Sequence, residues 1–165
     1  MAEALYKQAK GILSLEMIDV ILCHIGAVVA ERAINMAPVD TGELRSKIKY
    51  KKVGSNVVKI YADVPYADDL EYGRPPEPLN EDEKEGLRKW AERHGVKNPD
   101  GTVRYIEKHG LEVGTVDKPL HVTWLGRDSY RPFLRPALYQ SIPYIREAII
   151  ADVKRGKAPP CSFTG

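Results

Sequence analysis

Apolar residues recur at spacings of three and four from residue 12 to residue 36, which predicts a helix over Ile12–Met36. Leu15, Ile18, Leu22, Ile25 and Val29 share one face of it. A second strip, Cys23, Ala27, Ala30 and Ile34, is mostly small, so the helix is expected to pack on two sides, one of them a sheet. The period then changes to two. Leu44, Ser46, Ile48 and Tyr50 alternate with Arg45, Lys47, Lys49 and Lys51, and Val58, Ile60, Ala62 and Val64 alternate with Val57, Lys59, Tyr61 and Asp63. The turn signal Gly54-Ser55-Asn56 between the two runs predicts an antiparallel hairpin with a basic outer face. Leu120, Val122 and Trp124 alternate with His121, Thr123 and Leu125, a third strand. The longer period returns at Leu138, Ile142, Ile145, Ile149 and Val153, a last helix with Pro136 in its first turn and Pro143 expected to kink or interrupt it.

The middle of the chain is different. Asn80 with Glu83 forms a capping-box start for a helix to His94, ended by Gly95, with Leu87, Trp90 and Ala91 as its apolar stripe. Asn98-Pro99-Asp100-Gly101 reads as a turn, and Val103 to His109 as a short helix closed by Gly110. From Glu77 to Lys118 there are ten acidic and eight basic residues, so this segment is a charged, solvated excursion from the sheet. The fold class is α+β: an antiparallel sheet packed by a long N-terminal helix and a C-terminal helix. It is expected as one domain over 1–165, with a core over 12–155, a helical insertion over 77–118 and an extended tail over 156–165.

Three short stretches stand out. Ala37-Pro38-Val39-Asp40-Thr41-Gly42-Glu43-Leu44-Arg45 reads as a corner. Pro38 ends the helix, Asp40 caps the next turn with Glu43 three residues on, and Gly42 lets the backbone bend. Tyr66-Ala67-Asp68-Asp69-Leu70-Glu71-Tyr72-Gly73 reads as a helical turn closed by Gly73, with Tyr66, Leu70 and Tyr72 inward. Its adjacent carboxylates diverge on a helix and make no paired acid–base site. Arg131-Pro132-Phe133-Leu134-Arg135-Pro136-Ala137-Leu138 is a rigid lead-in to the last helix, with Phe133 in the core and an arginine reaching a carboxylate such as Glu71.

Composition narrows the function. The 165 residues suit one domain, and 25 basic against 23 acidic residues give a net charge of +2, too balanced to predict nucleic-acid binding. The lysine row could contact phosphates, but reads first as a solvated face that discourages edge pairing. Cys23 and Cys161 are far apart and form no disulfide framework or zinc spacing. His24 has no partner at ligand spacing, and His94 and His109 suit helix C-termini. The start has no basic leader with an apolar run and cleavage site. Glu16, Asp19 and His24 make Ile12–Ala30 a buried helix rather than a membrane span. No cofactor or metal is expected.

In this order the three stretches resemble a family of tailed-bacteriophage proteins of the head–tail junction, known as tail-completion, head–tail joining or minor tail proteins. The pattern there is a helix, Pro-x-Asp-Thr-Gly-x-Leu-Arg, strands, a Tyr-Ala-x-x-x-Glu-x-Gly turn, and Arg-Pro-Phe-Leu-x-Pro-Ala before a final helix. The resemblance makes Asp40, Thr41, Gly42, Leu44, Arg45, Tyr66, Glu71, Gly73, Arg131, Pro132, Phe133, Arg135 and Pro136 structural or interface residues. It implies a virion structural protein made in the host cytoplasm and located in the neck or tail. Its form would be a homo-oligomeric ring, commonly a hexamer. Neck or head-closure proteins would lie on one side, tail-tube or tail-terminator proteins on the other, with no membrane. Double-stranded DNA would pass through the lumen without sequence-specific binding, so the lysine row is expected to face protein or outer solvent. The resemblance implies no catalysis.

The alternative is a homodimeric aspartic protease of the retroviral kind using Asp40-Thr41-Gly42, in which two such carboxylates share a proton and activate water. There the motif should follow an apolar strand; here it follows Ala37-Pro38 at a helix end. The apolar-apolar-Gly segment needed downstream has only Trp124-Leu125-Gly126 as a candidate. A DNA-binding module would rest on the lysine row and the mildly basic C-terminal third, without a recognition helix.

Overall fold

The first apolar period folds as α1, Leu15–Met36. The computed structural model describes residues 15–111 and 132–155. The chain start, the third strand over Leu120–Leu125, Trp124-Leu125-Gly126, Arg131 and the tail 156–165 lie outside the described residues. The architecture is α+β, with α1 packed on the C-terminal helix and on an antiparallel hairpin. The described residues form two compact units. The first comprises those of Met1–Ala37, Arg45–Asp63 and Phe133–Gly165; the second comprises those of Pro38–Leu44 and Val64–Pro132.

In the first unit α1 buries its small residues. Cys23, Ala30, Ala33 and Ala37 are buried with Val29, while Leu22 and Ile25 of the expected face are only half-buried. The reason is close approach. A Cβ on Gly26 would lie 2.4 Å from Tyr50 Cδ2 and 3.1 Å from Val58 Cγ2, so α1 sits on the hairpin where its side chains are smallest. Cys23 is disulfide-bonded, which the cysteine spacing did not suggest; the other cysteine, Cys161, is outside the described residues.

The hairpin is β1, Ile48–Gly54, and β2, Val57–Ala62, paired antiparallel with Ile48 opposite Ala62 and Tyr50 opposite Ile60. The first strand starts later than the alternation from Leu44 suggests. Glu43–Ser46 is instead a one-turn helix, α2, that buries Leu44. Period two over so few residues cannot be told from one helical turn when a cap stands just before it, and Glu43 N–H reaches Thr41 Oγ1 at 3.4 Å.

The last helix of the unit, numbered α6 in chain order, spans Leu134–Arg155 without interruption at Pro143. Proline at that position leaves the Tyr139 carbonyl without its helical donor, but both residues are exposed and water can serve it. Pro136, Ala137 and Ser141 are buried, as is Phe133 just before the helix, and Ser141 Oγ donates to Ala137 O at 2.7 Å. Leu138 and Ile142 of the expected face are 43% and 52% exposed. Ile145, Ala148 and Ile149 face Ile21, His24, Ile25 and Val28 of α1 across an apolar groove.

The second unit holds α3, Ala67–Tyr72; α4, Glu81–Arg93; and α5, Pro99–His109. The Asn80–Glu83 capping box forms as predicted, with Glu83 N–H on Asn80 Oδ1 at 2.9 Å and Asn80 N–H on Glu83 Oε2 at 2.7 Å. Asn98 caps α5 and Pro99 is its first residue, so the stretch read as a turn is a helix start. Leu79, Val103 and Ile106 form a small core flanked by Leu87 and Leu111. Arg74 and Leu111 exchange backbone hydrogen bonds of 2.9 and 2.8 Å. Gly110 lies against this bridge with φ of 72°, and a Cβ there would be 2.2 Å from Arg74 O. Among the described residues no helix is long and apolar enough to cross a membrane.

Candidate functional site

The corner at Ala37–Arg45 closes a helix end. The last carbonyls of α1 lack intrahelical donors, and α1 has no basic residue in its last turn. Arg45 supplies the donors from downstream. Its Nε and Nη2 reach Ala37 O at 3.0 and 2.8 Å, and Nη2 also reaches Asn35 O at 3.5 Å. A guanidinium at a helix C-terminus also suits the dipole. Arg45 was expected on the outer face of the strand; the one-turn helix α2 turns it back to α1.

Asp40 is placed otherwise than as a cap. Its carboxylate takes a two-pronged ion pair from Arg93 of α4, Nε to Oδ1 at 3.1 Å and Nη2 to Oδ2. His94 Nδ1 lies 3.8 Å from Oδ1 and 2.9 Å from Trp90 O, with its ring stacked on Trp90. The hydrogen bond from Arg93 holds the Asp40 carboxyl below its ordinary value of 3.8, against the opposing effect of burial. Thr41 is the residue that reaches the next turn. Gly42 takes φ of 85°, a conformation costly for other residues. Glu43 accepts from the Tyr66 hydroxyl at 3.5 Å. Burial, then the Glu43 carboxylate, raises the Tyr66 phenol above its usual range.

In the second stretch Tyr66 and Tyr72 are exposed, not inward, and the buried pair is Ala67 and Glu71. Gly73 ends α3, its N–H on Asp69 O at 2.9 Å. Beside it Arg74, unremarked by any motif, gathers three carboxylates. Nη1 meets Glu83 at 2.7 Å and Asp69 at 3.2 Å, and Nε lies 3.1 Å from Glu77, close enough for an ion pair but not aligned for a hydrogen bond. The hydrogen bond to Glu83 is the main cause that raises the Arg74 guanidinium and lowers the Glu83 carboxyl.

The third stretch buries Pro132, Phe133 and Pro136, while Arg135 is exposed. Arg131 is outside the described residues. Among the described residues, no group of three or more His, Cys, Asp and Glu is placed to hold a metal ion.

The first two stretches therefore use their polar residues to fix helix ends and join helices, and the Asp-Thr-Gly carboxylate is taken by an arginine. Residues 2–73 match the family model HK97-gp10_like, "Bacteriophage HK97-gp10, putative tail-component". The match takes in the first two stretches and stops at Gly73, so α4, α5 and the Arg131–Leu138 lead-in lie beyond it. Over that part the chain is similar to a phage tail component, in accord with the resemblance drawn from its motifs. No curated protein and no solved structure matches the chain.

Proposed function

We propose that this chain is a non-catalytic structural subunit of the phage head–tail junction that assembles as a closed ring, six copies being the usual number in the family it resembles. The ring sits in the virion neck, between head-closure proteins and the tail-tube or tail-terminator proteins, and lets DNA pass without reading its sequence. The observation that carries this reading is the match of residues 2–73 to a phage tail component. Two features support it. Asp40 is engaged by Arg93, which suits a structural corner, and nothing in its surroundings favours a protease dyad. The surface of α6 carries Leu138, Tyr139, Ile142 and Ile150, each more than two-fifths exposed, apolar surface that assembly would cover.

A phage lacking this chain tests the reading. Filled heads and separate tails are expected, with joining restored by the wild-type chain and by Asp40→Asn. Normal virions without the chain, or failure of Asp40→Asn together with Asp40-dependent peptide cleavage at acidic pH, would overturn it.

A further inference from the structure

The β1–β2 hairpin has two unlike faces. Ile48 and Tyr50, opposite Ala62 and Ile60, are turned toward α1. On the other face Lys49 lies opposite Tyr61 and Lys51 opposite Lys59, and Lys47 continues the row, its carbonyl accepting from Asp63 N–H at 3.0 Å. Lys47 and Lys59 are exposed and Lys49 and Lys51 half-exposed. The ammonium groups of Lys51 and Lys59 lie 5.1 and 5.4 Å from the Tyr61 ring centre. Lys52, of the opposite parity, reaches Asp19 of α1 in an ion pair; the four lysines of the outer face enter none among the described residues. Like charges directly opposite in a ladder oppose pairing, so the hairpin carries this row at some cost to its own stability.

We propose that this face docks on the phosphate backbone of double-stranded DNA without reading sequence. The row is linear: alternate residues of a strand are spaced by roughly 6.5–7 Å, which suits a linear polyanion better than a compact acidic patch. Its composition points the same way. Where the described residues grip a carboxylate with two prongs they use arginine, on Asp40 and Glu83, while lysines meet single carboxylate oxygens, Lys52 on Asp19 and Lys84 on Glu81. The cations of the outer face are all lysines, a non-directional charge suited to phosphate, and the one carboxylate among its described residues, Asp63, stands at its end opposite Lys47. It also lacks the Arg, Asn and Gln that read base edges. Four such contacts give weak binding with a salt slope of about −3.6, roughly a 150-fold loss between 50 and 200 mM salt. A contact of this kind lets DNA slide, so it is compatible with passage through a ring, but it does not depend on one.

The test is fluorescence anisotropy of a 30-base-pair duplex with the full chain at 50 mM salt. The variants are Lys49→Gln/Lys51→Gln/Lys59→Gln and a control of equal charge change on the second unit, Lys89→Gln/Lys97→Gln/Lys108→Gln. Circular dichroism checks folding, and the single changes replace any triple variant that fails to fold. Binding is expected for wild type and control, with at least a tenfold loss and a shallower salt slope for the hairpin variant. No binding by the wild type, equal losses in both variants, or competition by polyglutamate as strong as by duplex DNA would overturn the proposal. The last result would assign the face to an acidic protein surface. Because the isolated chain is used, none of these outcomes bears on ring assembly.

Discussion

Replacing glycine by alanine at positions 26 and 86 should have opposite effects. Both glycines are inside helices, where alanine is favoured by about 1 kcal/mol. In α4 a Cβ on Gly86 meets nothing within 4 Å, so Gly86→Ala should gain most of that amount. In α1 a Cβ on Gly26 would stand 2.4 Å from Tyr50 Cδ2 and 2.9 Å from Tyr50 Cγ. Carbon atoms pack at roughly 3.5–4 Å, so something must move by about 1 Å. The ring root of Tyr50 cannot swing aside as a flexible chain end would, because Tyr50 is buried and held in β1. Overpacking of this sort costs about 1–3 kcal/mol. Gly26→Ala should therefore be neutral to about 2 kcal/mol destabilising, about 1–3 kcal/mol below Gly86→Ala. At about 2–4 °C per kcal/mol for a chain of this size, thermal unfolding should separate the two by several degrees. If unfolding resolves two transitions, each variant is compared with wild type in the transition of its own unit. Stabilisation of both variants to the same extent would refute the close seating of α1 on the hairpin.

Phe133→Ala removes a fully buried ring at the start of α6 and should cost about 3–5 kcal/mol, read as a melting temperature lower by roughly 6–20 °C. An unchanged melting temperature would mean that the ring is not part of the core. Asp40→Asn should weaken the link to Arg93 most at neutral pH. The folded carboxyl titrates below its ordinary value, so its contribution is complete above about pH 4 and is lost as pH falls through the lower folded value. The melting difference between wild type and Asp40→Asn should accordingly shrink on acidification below about pH 4. A difference that grows there would contradict the ion pair.

The elements were legible because their periods are long and unlike. A run of three-to-four spacings over α1 and α6 and of two over the hairpin leaves little choice, and the Asn80–Glu83 box marked the start of α4. Faces were read less well. Large apolar residues looked like the core side of α1, yet of those Val29 is buried while Leu22 and Ile25 are half-buried, and the small strip holding Cys23 and Ala30 is buried with Gly26 and Ala33, because small residues let the helix come nearer the sheet. The same bias put Leu138 and Ile142 of α6 inside and left out Ala137 and Ser141. The buried Glu71 could have been found from phase, since it lies four residues after the buried Ala67. The partner of Asp40 could not: Arg93 is 53 residues away in sequence, and an ion pair of that range leaves no local trace. Arg45 misled for the same reason, since its role is to cap a helix that ended nine residues before it.

The most direct test of the central claim is the symmetry of this chain in the assembled particle, from electron cryo-microscopy of the neck of intact virions. A closed ring of more than two copies around the DNA axis, its subunits joined by contacts that close by rotation, is the predicted result. A single copy beside the axis, or an isolated twofold dimer, would contradict it.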